Sequence, residues 1–261
     1  SEVIIMADEL RKAGISVLIT DASKHPVGGR WKIFESRIPT RDELEKRCAH
    51  FLAASVATVG GKVSGGLETI DFEGIKKCGK CCFQDWKEIV NGQFPELFAK
   101  LVINSTQKGG FHVRYRYQTE KYDSQLDLAR ILNIDKTRTK QKTALLVETR
   151  GEGHYALCPP SPGYEMIQGE ITNLPVISLE ERNFLIDTAK SFNEIASETE
   201  RQFDSQGLQG LKPGEDFNLR GDHRALLEKH GWILVLEREK GVQYWRRPGK
   251  DDSWSATWNF I

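Results

Sequence analysis

An α+β fold is what this sequence predicts, on three observations. Segments with apolar residues at every third or fourth position are interspersed with short segments of period two, so helices and strands are mixed along the chain. Three of the period-two segments, near 66–72, 111–117 and 144–149, gather charged side chains on one face, as strands of a sheet do. Hydrophobic residues fill 39% of the 261 positions, enough for one large core or two modest ones.

Composition narrows the function classes. Lysine plus arginine (37) balance aspartate plus glutamate (37), which excludes a uniformly basic nucleic-acid coat and leaves local clusters to bind any polyanion. No run approaches the roughly 18 apolar residues of a membrane helix, and the N-terminus has no signal-peptide core, so the cytosol is the expected location. Five cysteines, an odd count without a disulfide framework, read as reduced thiols. The chain opens on Ser1 and stops at Ile261 without a polar tail, which suggests a segment of something longer.

Taken in order, residues 2–12 read as a helix with Gly14 as its C-cap, and Ile15–Ile19 as a strand. The loop Asp21–Trp31 places Lys24, His25 and Arg30 among Pro26, Gly28 and Gly29, a cationic loop able to approach a ligand backbone, or simply a solvated one. Thr40 with Glu43 is a capping box for a helix to about Ala54. Val56–Val59 and Gly66–Phe72, around Gly60-Gly61-Lys62, read as a hairpin. Phe83–Val90 and Pro95–Lys100 read as helical pieces, Leu101–Asn104 as a strand and Asp123–Leu132 as a helix. Ala144–Thr149 reads as a strand, and after Gly151-Glu152-Gly153 a second strand returns over His154–Cys158.

The candidate chemistry sits on the strands. Asp71 and Glu73 share a face, with Ile70 and Phe72 opposite. Two like charges that close repel unless a cation or proton lies between them, so the pair suits Mg²⁺ or Mn²⁺; a solvated strand edge is the plain alternative. The turn Ser105–Gly110 feeds a strand with His112, Arg114 and Arg116 on one face. Guanidinium forks and turn N–H groups match phosphate oxygens, which makes a triphosphate grip, against a merely solvent-facing side. The strand 144–149 sets Leu146, Glu148 and Arg150 together, adding a third carboxylate beside a cation. Cys78, Cys81 and Cys82 form a CxxCC run, one ligand short of a closed zinc site unless Cys48 or a histidine completes it. Free thiols are the expectation there and structural Zn²⁺ the minor alternative. Lys136, Arg138, Lys140 and Lys142 make a basic stretch that is either solvated or set against a nucleic-acid backbone.

Together GGLETIDFE (65–73), STQKGGFHVRYR (105–116) and LLVETRGEGHYALCPPSPGY (145–164) resemble the three active-site motifs of the archaeo-eukaryotic primase superfamily. In particular they resemble those of the bifunctional primase-polymerase (prim-pol) domains of phages and plasmids, over about residues 1–175. It implies an RRM-like catalytic core flanked by an α/β subdomain. It also implies metal ions held by Asp71, Glu73 and Glu148, and His112 on the phosphates of the incoming nucleotide with Lys108, Arg114 and Arg150. Glutamate stands where many members carry aspartate in the first and third motifs, which lengthens the stem and changes the metal spacing; the family's zinc stem is present only as the incomplete CxxCC. The activity implied is that of a DNA primase and template-dependent DNA polymerase using a two-metal site, acting on a single-stranded DNA template with dNTP or NTP, encoded by a phage or mobile element and working in its bacterial host's cytoplasm. A replication-associated nucleic-acid-binding module without catalysis and a metal-dependent nuclease are the alternatives. The presence of all three carboxylates favours the enzyme, and the glycine-turn histidine strand favours triphosphate over nuclease chemistry.

After Pro175 the composition shifts, which predicts a catalytic domain over 1–175 and an accessory module over 176–261. Ser178 with Glu181 caps a long helix to about Phe203, a linker covers Asp204–Pro213, and Asp222 caps a short helix to His230-Gly231. Strands Trp232–Leu236 and Val242–Arg246 and an aromatic tail with Trp254, Trp258 and Phe260 complete a small winged-helix-like module, with Arg246, Arg247 and Lys250 at its wing. GEDFNLRGDH and YWRRPGK look like segments that follow prim-pol domains in phage primases. A helicase domain in the same longer chain is therefore an expected partner.

Overall fold

Capping and glycine signals set the first elements. The computed structural model describes residues 2–74, 81–132, 143–195, 222–238 and 241–258. Helix α1 (Glu2–Lys12) ends at Gly14, whose φ of +74° favours glycine, and strand β1 (Val17–Thr20) follows. Helix α2 (Arg41–Cys48) opens on the expected box: the Thr40 hydroxyl accepts from the Glu43 N–H at 3.2 Å, and Glu43 accepts from the Thr40 N–H at 2.8 Å. It stops at Cys48 rather than Ala54. Phe51 and Leu52, read as its apolar face, are 88% and 47% exposed, so no core is there to bury another turn.

The chain continues through β2 (Ser55–Val59), β3 (Leu67–Phe72), α3 (Phe83–Gln93), α4 (Pro95–Lys100), β4 (Val102–Ser105) and β5 (Phe111–Tyr117). Then come β6 (Asp127–Leu132), β7 (Thr143–Arg150), β8 (Tyr155–Cys158), β9 (Met166–Gln168), β10 (Val176–Ile177) and α5 (Leu179–Lys190). A small sheet has the order β1-β2-β8, and a large one β6-β7-β3-β5-β4-β9, both antiparallel, with β10 added in parallel to β5. Helices mixed with antiparallel sheet make this an α+β fold.

The expected hairpin of β2 and β3 does not form, because the two strands belong to different sheets. Gly61 at φ +87° and one 3₁₀ turn at Lys62–Ser64 carry the chain across. Ser64 Oγ holds this crossing by donating to Val59 O at 2.5 Å and accepting from the Ser16 N–H at 2.9 Å. The return strand β8 likewise leaves β7 and joins β2. Asp123–Leu132, expected as a helix, is an extended segment ending in β6. Its local helix propensity is overridden by the open edge of β7, along which the N–H groups of Thr149 and, just past the strand, Gly151 donate to Leu126 O and Ser124 O at 2.9 and 2.7 Å. Register shifts in β6 bury the successive residues Leu128 and Ala129, which defeats a simple period of two.

β1 is buried on both faces, which explains its unbroken apolar run. Val17, Ile19 and Val56 pack with α1 residues Ala7 and Leu10, and also with Leu67 and Val102 of the large sheet. Leu18, Ala57 and Leu157 pack with Phe34 and Tyr164 on the other side. The face of the large sheet bearing Ile70 and Phe72 is covered by α3, where Phe72 meets Phe83 and Trp86 with ring centroids 5.4 and 5.0 Å apart.

Two compact units result, Ser1–Ile195 and Ala196–Ile261. The division expected after Pro175 falls inside the first unit, because α5 is tied to the sheet. The Trp86 indole N–H donates to Leu185 O at 3.1 Å, and Arg182 forks onto the fully buried Glu68 with two contacts of 2.7 Å. Helix α5 keeps its capping box at Ser178 and Glu181 but ends at Lys190 rather than near Phe203; residues 196–203 lie outside the described ones. The second unit contains α6 (His223–Lys229), capped by Asp222, and a sheet of β11 (Ile233–Glu237), β12 (Gln243–Arg246) and β13 (Ala256–Trp258). The third strand was not expected; it uses the aromatic tail, with Trp258 stacked on His223 at 3.7 Å. Cys78, the basic stretch 136–142, the linker 204–213 and Phe260 also lie outside the described residues. Among the described residues no helix is long and apolar enough to cross a membrane.

Candidate metal and nucleotide site

Register builds this site. Asp71 on β3 is paired with His112 of β5 on one side and with Glu148 of β7 on the other, so the three side chains form a row across neighbouring strands. Paired residues of this kind sit about 4.5–5.5 Å apart at Cβ. Glu73 points the same way two residues on, held in line where its N–H donates to Leu146 O at 2.9 Å. Gly74 and Gly110 let this end of β3 pack backbone to backbone on the turn before β5: a Cβ on Gly74 would lie 2.0 Å from Lys108 O.

One oxygen from each of Asp71, Glu73 and Glu148 lies within 4.8 Å of the other two, with Glu73 and Glu148 buried. This is the single group of three or more metal-capable side chains among the described residues. Two oxygens bound to one Mg²⁺ at about 2.1 Å are at most about 4.2 Å apart, so a closing of roughly half an ångström would put all three on one ion. Carboxylate oxygens are also the hard donors that Mg²⁺ and Mn²⁺ prefer. The residues present fit a divalent metal.

Cations and donors already hold the acids. Arg150 Nη2 bonds Glu148 Oε1, and its Nε lies 3.8 Å from Asp71 Oδ2. Gln125 Nε2 donates to the other oxygen of Glu148. His112 Nε2 lies 3.4 Å from Asp71 Oδ1.

Both ring nitrogens of His112 are engaged. Its Nδ1 lies 3.0 Å from Arg114 Nη2 and 3.1 Å from Leu157 O, and its Nε2 faces Asp71. The same Arg114 Nη2 donates to Leu157 O at 2.7 Å, and its Nη1 to Asn104 Oδ1. Burial, and after it the Arg114 charge, lower the His112 pKa against the pull of Asp71 and of the Leu157 carbonyl, which favours the neutral ring.

Of the sequence-predicted residues, Asp71, Glu73, Glu148, His112 and Arg150 come together. Arg114 is fully buried behind His112. Lys108 is exposed at the tip of its turn. Arg116, two pairs further along β5, turns away and donates to Ala13 O at 3.0 Å. Cys81 and Cys82 join no metal-capable group among the described residues, and Cys82 is buried. Sequence reasoning missed Gln125, Asn104 and Tyr164, whose ring lies 5.8 Å from that of His112. A lone glutamine or asparagine carries no spacing signal. Tyr164 closes the third motif, which is the only hint at it.

Replacing Arg114 by Lys removes the fork that spans Asn104, Leu157 O and His112. Nucleotide affinity is expected to fall about tenfold, the scale of one lost charge-assisted hydrogen bond, with the circular dichroism spectrum unchanged. Unchanged affinity in a folded Arg114→Lys protein would show that the fork does not orient His112.

No curated protein matches the chain. The Prim-Pol family model, described as bifunctional DNA primase/polymerase, N-terminal, matches residues 7–177, a span that holds the acid triad, the His112 strand and the Gly151 turn. With that match over well over half its length and these acids and this histidine aligned by strand register, the chain belongs to the Prim-Pol family of bifunctional DNA primase/polymerase N-terminal domains.

Proposed function

We propose that the chain is a nucleotidyltransferase that makes and extends primers on a single-stranded DNA template, and the row His112–Asp71–Glu148 with Glu73 beside it is the observation that carries this reading. Asp71, Glu73 and Glu148 are the residues to hold two divalent ions. Bound there, the ions supply Lewis acidity to the attacking 3′-hydroxyl and to the triphosphate. The chain's own residues do the positioning. His112, whose Nε2 faces the acids, is placed to hydrogen-bond a phosphate oxygen. Arg150, whose side chain is 30% exposed, can exchange Glu148 for phosphate once that carboxylate is engaged elsewhere. Lys108, at the turn tip, adds mobile charge near the outer phosphates, while Arg114 acts through His112. The β7-β3-β5 face is the part we read as RRM-like. The phage or mobile-element setting and a helicase domain in a longer chain are supported by the resemblance of the C-terminal segments.

The test is incubation with primed and unprimed single-stranded templates, dNTPs or NTPs, and Mg²⁺ or Mn²⁺. Elongated primers and new oligonucleotides are expected. Degraded template would point to a nuclease, and template binding without synthesis to an inactive module. In the same assay His112→Ala should weaken nucleotide binding about tenfold while single-stranded DNA binding stays unchanged; equal loss of both would mean that His112 only supports the fold.

A further inference from the structure

The contacts leading out of the acid row do not stop at His112. Its ring packs against Tyr164, which is buried, and the Tyr164 hydroxyl accepts from the Lys24 ammonium at 3.0 Å. Lys24 therefore stands two side chains from Asp71, on the loop that follows β1.

That loop is built to hold it. The Asp21 N–H donates to His25 O at 2.9 Å, the Lys24 N–H to Asp21 O at 3.0 Å, and the His25 N–H to Asp21 Oδ1 at 2.9 Å. From the small sheet, the Tyr155 hydroxyl donates to Lys24 O at 3.1 Å. Within this turn Lys24 takes φ +73°, one of two non-glycine residues in the left-handed region among those described. A Cβ disfavours that conformation, and glycine would occupy it without strain. An outlier kept in an ordered turn beside a reactive site points to use of the side chain.

The charge balance says what that use is. The three carboxylates offset much of the charge of any ions they hold, so a triphosphate tail must find further cations around it. Among the described residues Lys24 has no carboxylate within 4.0 Å; a neutral hydroxyl holds its ammonium, which keeps its charge for a ligand. Because the Tyr164 oxygen accepts from Lys24, its own proton is free to donate to a phosphate oxygen.

We propose that Lys24 binds the outer phosphates of the incoming nucleoside triphosphate, with Tyr164 as the residue that positions its ammonium beside His112. This rests on the nucleotidyl-transfer reading of the acid row.

Lys24→Gly is the informative variant, since glycine keeps the turn and removes only the side chain. The full chain is titrated, with Mg²⁺ present, with a non-hydrolysable nucleoside triphosphate, with the matching monophosphate and with single-stranded DNA. The expected result is about tenfold weaker triphosphate binding, unchanged monophosphate and DNA binding, and partial recovery in Lys24→Arg. Tyr164→Phe should show a smaller loss in the same direction. A loss confined to DNA would place Lys24 on the template backbone and overturn the proposal. So would equal losses for tri- and monophosphate, or no change in a variant whose wild-type control binds triphosphate. If the wild type itself binds no triphosphate, the nucleotidyl-transfer reading fails first and takes this one with it.

Discussion

Asp71→Ala is expected to abolish primer extension while the protein still folds. Asp71 is the centre of the row, paired with both His112 and Glu148, so its loss leaves the remaining carboxylates without the oxygen that bridges them. Metal chemistry supplies several kcal/mol of transition-state stabilisation, and each 1.4 kcal/mol is tenfold in rate, so a fall of about a thousandfold or more is the expected scale. Stability moves the other way or not at all. Three carboxylates whose oxygens lie within 4.8 Å repel one another, and removing one relieves that repulsion. The measurements are extension of a labelled primer and a thermal melt by circular dichroism. Wild-type extension by a folded Asp71→Ala protein would end the metal assignment.

The second large effect concerns where the catalytic unit stops. A chain ending at Pro175 is expected not to fold, whereas one ending at Ile195 folds, extends primers and makes new ones poorly. The reason is Glu68, fully buried on the face of β3 opposite the site. Arg182 and the Tyr115 hydroxyl, the latter at 2.7 Å, satisfy its oxygens. Burial alone would lower the Arg182 pKa, but the hydrogen bonds and charge of Glu68 outweigh it and raise it, as in a tight pair. Removing one partner of a buried pair costs about 3–5 kcal/mol, a large share of the roughly 5–15 kcal/mol that holds a domain together. Loss of α5 also uncovers Trp86 and the Phe94–Phe184 contact at 4.7 Å. The point variant Arg182→Met isolates the pair and should lower the melting temperature by roughly 6–20 °C. An Arg182→Met protein that melts with the wild type would show that Glu68 is not held this way. A 1–175 chain with a native spectrum would show that α5 is dispensable. The poor priming expected of the 1–195 chain follows from de novo synthesis holding two nucleotides and a template without a primer duplex, so it has fewer contacts to lose than extension has. Priming at the full chain's rate would leave the second unit no such role.

What the sequence determined by itself is local. The period of two put Asp71 and Glu73 on one face with Ile70 and Phe72 on the other, and capping boxes started α2 and α5 at Thr40 and Ser178. These follow from backbone geometry within a few residues. The order of the three motifs likewise pointed to the family, since their residue types carry the chemistry. Tertiary structure decided whatever depends on partners distant in sequence. Which strand pairs with which is set by burial across the whole unit, so β2 and β8 went to one sheet and β3 and β7 to another, against the hairpins that short turns suggested. The same competition turned 127–132 into an edge strand and ended α2 where no core lay beneath Phe51. It also separated His112 from Arg114: both lie on one face of one strand, but the arginine is taken up by Asn104 and the small sheet's Leu157 carbonyl, while the histidine turns Nε2 toward the acids. A charge on a strand can be read from its spacing. Whether it meets ligand or backbone depends on the residues that pack over it, and only folding brings those together.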